Sequence, residues 1–362
     1  MNRLDQLRAT GVSIWLDTLS RDLLESGDFE RLQRNRAVTG ATSNPTIFSK
    51  AIVGSERYDE QLASLLEAGV SDAREQFLEL AVEDVRRAAK TLEHVYLRSG
   101  GNDGFVSLEV TPDLAYDSAA TVVQATDLWR RLDTRNVMIK VPATEPGLAA
   151  IEELTAAGVN VNVTLLFAVA RYEQVIEAYL RGLERRVDAN QPIAGIRSAA
   201  SFFVSRVDAK ADARLDADSP LRGRVAVANA KAAYEAYRTT LEGERWQRLL
   251  EHGAAPQRPL WASTAPKDPS YRDVLYLESL SLPDSILTVP EPTLNAFADH
   301  GVPGRAVTDP SDLDLGTTAI DLPAITAELE REGVEAFCAA YRELVDSIAH
   351  RAEALRAPAL SR

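Results

Sequence analysis

Several reactive side chains stand where short apolar runs end. Asp17 closes SIWLD, Asn44 follows GATS, Glu109 sits in SLEV and Lys140 in VMIKVP; Asn162 and Thr164 lie in VNVTL, Ser201 opens SFFV, and Ser263 ends LWAS. Lys140 carries the sharpest signal. Val137, Met138, Ile139 and Val141 surround it, and burial of an amine disfavours its charged form. A neutral amine at physiological pH attacks carbonyls, which is the Schiff-base chemistry of lysine. The alternative is a strand-end lysine that reaches solvent along its aliphatic stem. Asp17 and Glu109 each follow an apolar stretch. Two carboxylates beside an amine can divide acid and base work if their environments set them apart. Either could instead cap a helix or pair with a base, and Glu109 precedes Thr111-Pro112-Asp113, which reads as a helix start. For an anionic end of a substrate, Arg206 follows SFFVS and Lys267 lies four residues beyond Ser263. An arginine with hydroxyls nearby suits a phosphate dianion by charge and by paired hydrogen bonds. The alternative for Arg206 is a surface residue facing Asp208.

These residues need a scaffold that gathers them. The apolar runs read as eight strands: 13–17, 40–44, 105–110, 137–142, 161–165, 200–204, 259–264 and 285–290. Several are continuously apolar, as parallel strands buried on both faces require. Between them lie helical patterns, such as Val169, Tyr172, Val175, Ile176, Tyr179 and Leu183 on one 3.6-residue face, and Val227, Tyr234, Tyr237 and Leu241 on another. Leu148, Ile151 and Leu154 follow the fourth strand in the same way. Strand–helix alternation of this kind predicts a closed (β/α)8 barrel of the TIM type more than an open sheet. Its strand ends converge on one mouth, where active sites sit. A minimal barrel takes roughly 250 residues, so a chain of 362 residues carries additions. They fall between strands two and three, between strands six and seven, and after strand eight. There Phe337, Tyr341, Leu344, Val345 and Ile348 predict a helix packed on the barrel. The expected organisation is one domain over 1–362, with a barrel core over about 13–301 and a helical extension over about 302–362. The Pro-rich stretch Pro290–Pro310 marks the passage between them, and Asp208–Gly223 reads as a solvated loop or helix start. Trp15 and Trp261 read as packing residues on strands near the mouth.

Composition narrows the function. Lys plus Arg number 40 against 54 Asp plus Glu, a net charge of −14, and hydrophobic residues make up 45%. That is ordinary globular usage, incompatible with a disordered chain or a small disulfide scaffold. An acidic chain is a poor general binder of nucleic acid or of anionic membranes, though a small anionic substrate needs only local cations. No apolar run approaches the length of a membrane span, and the N-terminus does not read as a signal peptide. The lone cysteine, Cys338, reads as a packed thiol in a reducing, cytoplasmic setting. His94, His252, His300 and His350 have neither metal-ligand spacing nor a nucleophile beside them, and there is no Walker A motif and no GxGxxG after a strand.

Taken together, GATSNPTIF (Gly40–Phe48), VMIKVPATEPGLAAIEEL (Val137–Leu154), NVTLLF (Asn162–Phe167), SFFVSR (Ser201–Arg206) and LWASTAPKDPSYRDVLYLESL (Leu260–Leu280) resemble the transaldolases in order and spacing. The overall pattern is most similar to the longer, actinobacterial ones, and it runs from Trp15 to about Gly301. The resemblance implies a (β/α)8 barrel, phosphorylated sugar substrates, and no metal or organic cofactor. It implies that Lys140 forms the Schiff base, that Glu109 shuttles a proton through a water held by Thr164, and that Asp17 takes the proton from the C4 hydroxyl. It implies that Asn44, Asn162 and Ser201 hold the three-carbon unit, and that Arg206 and Ser263 hold phosphate. Phe203 stands where related fructose 6-phosphate aldolases have Tyr, which favours transfer over lysis. One departure is Ala265, where many transaldolases have Arg; Lys267 is the nearest replacement. The oligomeric state stays open, a homodimer included.

Overall fold

The computed structural model describes residues 2–303 and 320–356. Eight strands close into a barrel in chain order, all neighbours parallel. They are β1 Ser13–Leu16, β2 Gly40–Thr42, β3 Val106–Glu109, β4 Val137–Pro142, β5 Val161–Leu166, β6 Ser198–Phe203, β7 Gln257–Ala262 and β8 Ile286–Val289. Each sequence-predicted strand is present. The bounds differ most at β6 and β7, which start two residues earlier and stop sooner, so Ser263 stands beyond its strand on the rim. All eight strands are buried almost throughout, which is why their apolar runs are continuous and not alternating.

The helices follow from local chemistry as well as period. Thr144 caps Glu145–Ala157 by accepting from Gly147 N, and Gly158 ends it in the left-handed region at φ 86°. The helix Val169–Asp188 buries its expected stripe except for a half-buried Val169, while Val225–Glu242 buries Val227 and Tyr237 and leaves Tyr234 and Leu241 half-buried. The three additions are helical. Pro45–Val53, Asp59–Glu67 and Ala73–Arg98 fill the first, Ser205–Asp212, Val225–Glu242 and Glu244–Glu251 the second. After β8 come Glu291–His300 and the 35-residue helix Leu322–Arg356. The last buries Phe337, Tyr341, Leu344 and Ile348, with Val345 half-buried, against helices of both insertions. The passage expected over Pro290–Pro310 is a helix in its first part, and its end from residue 304 lies outside the described residues, as does 357–362.

One expectation is refined and one corrected. Asp208–Gly223 begins as helix, inside Ser205–Asp212 with Asp208 and Asp212 buried, and residues 213–222 form the mostly exposed loop that was expected. Trp15 packs as expected but not near the mouth. Its indole fills the opposite end of the barrel, where its Nε1 donates to Asp103 Oδ1 at 2.8 Å. A Cβ on Gly40 would stand 2.5 Å from that ring, so glycine is required to admit it. Trp261 is fully buried and faces Phe202, whose ring also meets Tyr172 of Val169–Asp188.

Candidate active site

Strand register brings the chemistry together. Glu109 pairs with Lys140 across β3–β4, and Lys140 with Asn162 across β4–β5. Lys140 is 4% exposed, so it does not reach for solvent. Its Nζ lies 3.2 Å from Glu109 Oε2 and donates to the Ser43 carbonyl at 3.2 Å. Glu109 caps nothing, since Thr111 stands at the cap of the following short helix. Glu109 Oε1 and the Thr164 hydroxyl are buried without a hydrogen-bond partner among the described residues, while Oε2 has only the Lys140 contact, so bonding capacity is left over beside the amine. Burial raises the Glu109 carboxyl above its ordinary range, against the pull of Lys140. Asp17 is raised for the same reason, with Lys140, the Thr42 hydroxyl and Lys267 opposing. It too is no helix cap, because Ser20 caps the next helix. Thr42 Oγ1 donates to Asp17 Oδ1 at 3.2 Å, leaving Thr288 to donate to Thr42 at 2.8 Å.

Beside the lysine, Asn162 is fully buried. Its Nδ2 donates to Ser107 Oγ at 2.9 Å and its Oδ1 accepts from Ser201 Oγ at 2.7 Å. Asn44 does cap a helix: its Oδ1 accepts from Ile47 N at 2.9 Å, which leaves the Nδ2 end for a ligand. A cavity of about 600 Å³ opens above these groups and is bordered by Asp17, Asn44, Lys140, Ser201, Phe203 and Phe337. Phe337 comes from the C-terminal helix, so the tail forms part of the wall.

Arg206, Ser263 and Lys267 border the same cavity at its rim. Arg206 does not face Asp208; its guanidinium lies 5.7 Å from the Phe203 ring centroid, whose other neighbour is Phe167 at 5.2 Å. Ser263 has φ 58°, a left-handed turn that swings its Oγ to 2.8 Å from Ser205 Oγ. Lys267 is pushed down by partial burial and then by the charge of Arg206, with Asp17 opposing. Two cations border one cavity with no ion pair formed by either among the described residues, an arrangement that can attract a dianion.

The structure therefore gathers Asp17, Asn44, Glu109, Lys140, Asn162, Ser201, Phe203, Arg206, Ser263 and Lys267 at one end of the barrel. Thr164 lies two residues beyond Asn162 on the same face of β5. Sequence reasoning missed Thr42, Ser43 and Thr288. Only their place at the ends of β2 and β8 marked them, and a hydroxyl there is common. The four histidines are all exposed, and among the described residues no group of three or more His, Cys, Asp or Glu could hold a metal ion. No described helix is long and apolar enough to cross a membrane.

Comparison with known proteins gives the same direction. The profile of the transaldolase/fructose-6-phosphate aldolase family matches residues 14–348, beyond the barrel and into the C-terminal helix. The chain is 45% identical over 362 residues to a transaldolase of Frankia alni, covering 97% of each chain. It is 48% identical over 357 residues to transaldolase 1 of Streptomyces coelicolor, covering 95% of this chain and 93% of that one. It is 46% identical over 357 residues to a transaldolase of Saccharopolyspora erythraea, covering 96% and 97%.

Proposed function

The chain belongs to the transaldolase/fructose-6-phosphate aldolase family, and on that premise we propose that it moves a dihydroxyacetone unit between sugar phosphates through a Schiff base on Lys140. Sedoheptulose 7-phosphate with glyceraldehyde 3-phosphate, and fructose 6-phosphate with erythrose 4-phosphate, are the two sides of the reaction. The observation that carries the reading is the buried Lys140, 3.2 Å from Glu109, on the wall of a cavity that Asp17, Arg206 and Lys267 also border, neither of the last two forming an ion pair among the described residues.

Burial makes Glu109 a ready proton acceptor. It takes a proton from Lys140, whose free Nζ attacks the ketose C2. Glu109 returns a proton, through a water held by the Thr164 hydroxyl, as the carbinolamine C–O bond breaks and water leaves. Asp17 removes the proton from the C4 hydroxyl. The C3–C4 electron pair moves into the iminium, the aldose phosphate departs, and a three-carbon enamine stays on Lys140. Asn44, Asn162 and Ser201 hold its hydroxyls. An incoming aldehyde accepts the unit and the steps reverse. Arg206, Ser263 and Lys267 hold the phosphate, with Lys267 supplying the charge that Ala265 lacks. Phe203 offers no hydroxyl to place a water against the enamine, which favours transfer over lysis.

The family match spans the barrel and the tail, and Phe337 lines the cavity, so we read both as one functional unit. A reducing, cytoplasmic location belongs to the same reading, supported by a lone, half-buried Cys338. The test is a coupled assay with fructose 6-phosphate, with and without erythrose 4-phosphate. Release of glyceraldehyde 3-phosphate only with the acceptor supports transfer; equal release without it would make the chain an aldolase.

A further inference from the structure

The two cations of the phosphate end ride on separate elements. Arg206 is the second residue of the eight-residue helix Ser205–Asp212. Lys267 stands in the connection between β7 and the short helix Leu275–Ser279. Behind them lies a second cavity, of about 460 Å³, which Lys267 also borders. Its walls hold two tyrosine–aspartate bonds that tie one element to the other. Tyr276 Oη donates to Asp208 Oδ2 at 2.7 Å, and Tyr271 Oη donates to Asp212 Oδ2 at 2.8 Å. The second oxygen of each carboxylate accepts a backbone N–H: Ala226 N to Asp208 Oδ1 at 2.7 Å and Gly223 N to Asp212 Oδ1 at 3.1 Å. Gly223 has φ +67° and a Cβ there would lie 2.8 Å from the Tyr271 ring, so backbone and ring are pressed together. Arg222 closes the circuit, donating from Nη1 to the Asp212 carbonyl at 2.8 Å and pairing through Nη2 with Asp268, next to Lys267, at 3.4 Å.

Buried carboxylates are a costly way to hold a helix, because an apolar contact does so without desolvating a charge. Burial lifts the Asp208 carboxyl to about 6, against the donors that hold it. Directional bonds supply what apolar packing does not, a fixed distance and angle. That matters here, since Arg206 and Lys267 are like charges on separate elements that border one cavity. We propose that the Asp208–Tyr276 and Asp212–Tyr271 bonds are a clamp that fixes the spacing of Arg206 and Lys267, which makes these four side chains positioning residues for the phosphate end of the substrate. The proposal rests on the assignment of those two cations to phosphate. A preset pair receives a dianion without first being drawn together.

Tyr276→Phe and Tyr271→Phe each remove one hydroxyl and keep the ring. KM and kcat with fructose 6-phosphate and the inhibition constant of inorganic phosphate are measured, beside borohydride trapping with dihydroxyacetone, which has no phosphate. Each variant is expected to raise KM and the phosphate inhibition constant roughly tenfold, with kcat and the dihydroxyacetone adduct nearly unchanged. Arg206→Ala is run in parallel. If it moves both constants and the tyrosine variants move neither, the clamp is overturned and the phosphate assignment stands. If Arg206→Ala moves neither, the assignment fails and the clamp with it. Tyr271 is half-buried, so Tyr271→Phe carries the test if Tyr276→Phe does not fold. Loss of the native circular dichroism spectrum in both would make the bonds elements of stability alone and overturn the proposal.

Discussion

Where the strands begin, Arg258 donates to the Asp284, Asn102 and Ser285 carbonyls and to Ser13 Oγ, all between 2.9 and 3.0 Å. Arg197 beside it donates to the Gly101 and Ala194 carbonyls at 2.8 Å. Asp103 accepts from Ser13 Oγ at 2.6 Å and Trp15 Nε1 at 2.8 Å. Where the strands end, Arg206 stacks on Phe203 and Lys267 forms no ion pair among the described residues, while Glu109 and Thr164 keep unbonded oxygens. Both ends hold a cavity, of about 400 and 600 Å³. Volume thus separates them poorly. The separation lies in whether the cationic groups are already engaged: at one end Arg258 and Arg197 stitch loops together, at the other Arg206 and Lys267 form no ion pair among the described residues.

That contrast can be broken by mutation. The largest effect belongs to Lys140→Ala, expected to lower turnover by roughly 10⁴-fold or more while the circular dichroism spectrum stays native; substantial residual turnover removes the nucleophile from the scheme. Asp17→Asn is expected next, with cleavage slowed roughly 10²- to 10⁴-fold and imine formation, read by trapping, retained. Burial raises Asp17, so its protonated form is favoured in the fold. Its contribution to stability is complete below the ordinary aspartate value and is lost as pH rises through the raised one. Two consequences follow at once. The acid limb of kcat lies above the usual carboxylate range and shifts in the residual activity of Asp17→Asn, where Glu109 still titrates, and that variant melts higher than the parent at neutral pH, as active-site groups often allow. A lower melting temperature, or an unmoved limb, contradicts the assignment.

Smaller effects sharpen the comparison. Arg206→Ala is expected to raise KM for sugar phosphates about tenfold to a hundredfold, the value of a charged hydrogen bond of about 1.5–3 kcal/mol, with little change in melting. Arg258→Ala is expected to do the reverse, costing about 1–2 kcal/mol in denaturant unfolding and leaving KM and kcat unchanged. If the two swap behaviours, free and engaged donors are not what distinguishes the ends.

Much of this arrangement was legible in the sequence, because strands buried on both faces must be apolar throughout and because a lysine among Val137, Met138, Ile139 and Val141 has few structural uses. The rim was harder to read. Asp208 looks solvated in a charged segment, and its burial depends on Tyr276, 68 residues away. The place of Trp15 was set by Gly40 and Asp103 and not by its own strand. Thr42 gains its role only when β8 brings Thr288 within 2.8 Å, and Phe337 reaches the cavity only because the last helix folds back over it. Such long-range pairings leave no periodic trace.

The most direct measurement is peptide mapping by mass spectrometry after borohydride reduction with fructose 6-phosphate. The account predicts a reduced three-carbon adduct on Lys140, absent in Lys140→Ala. An adduct on another lysine, or none in the parent protein, would contradict it.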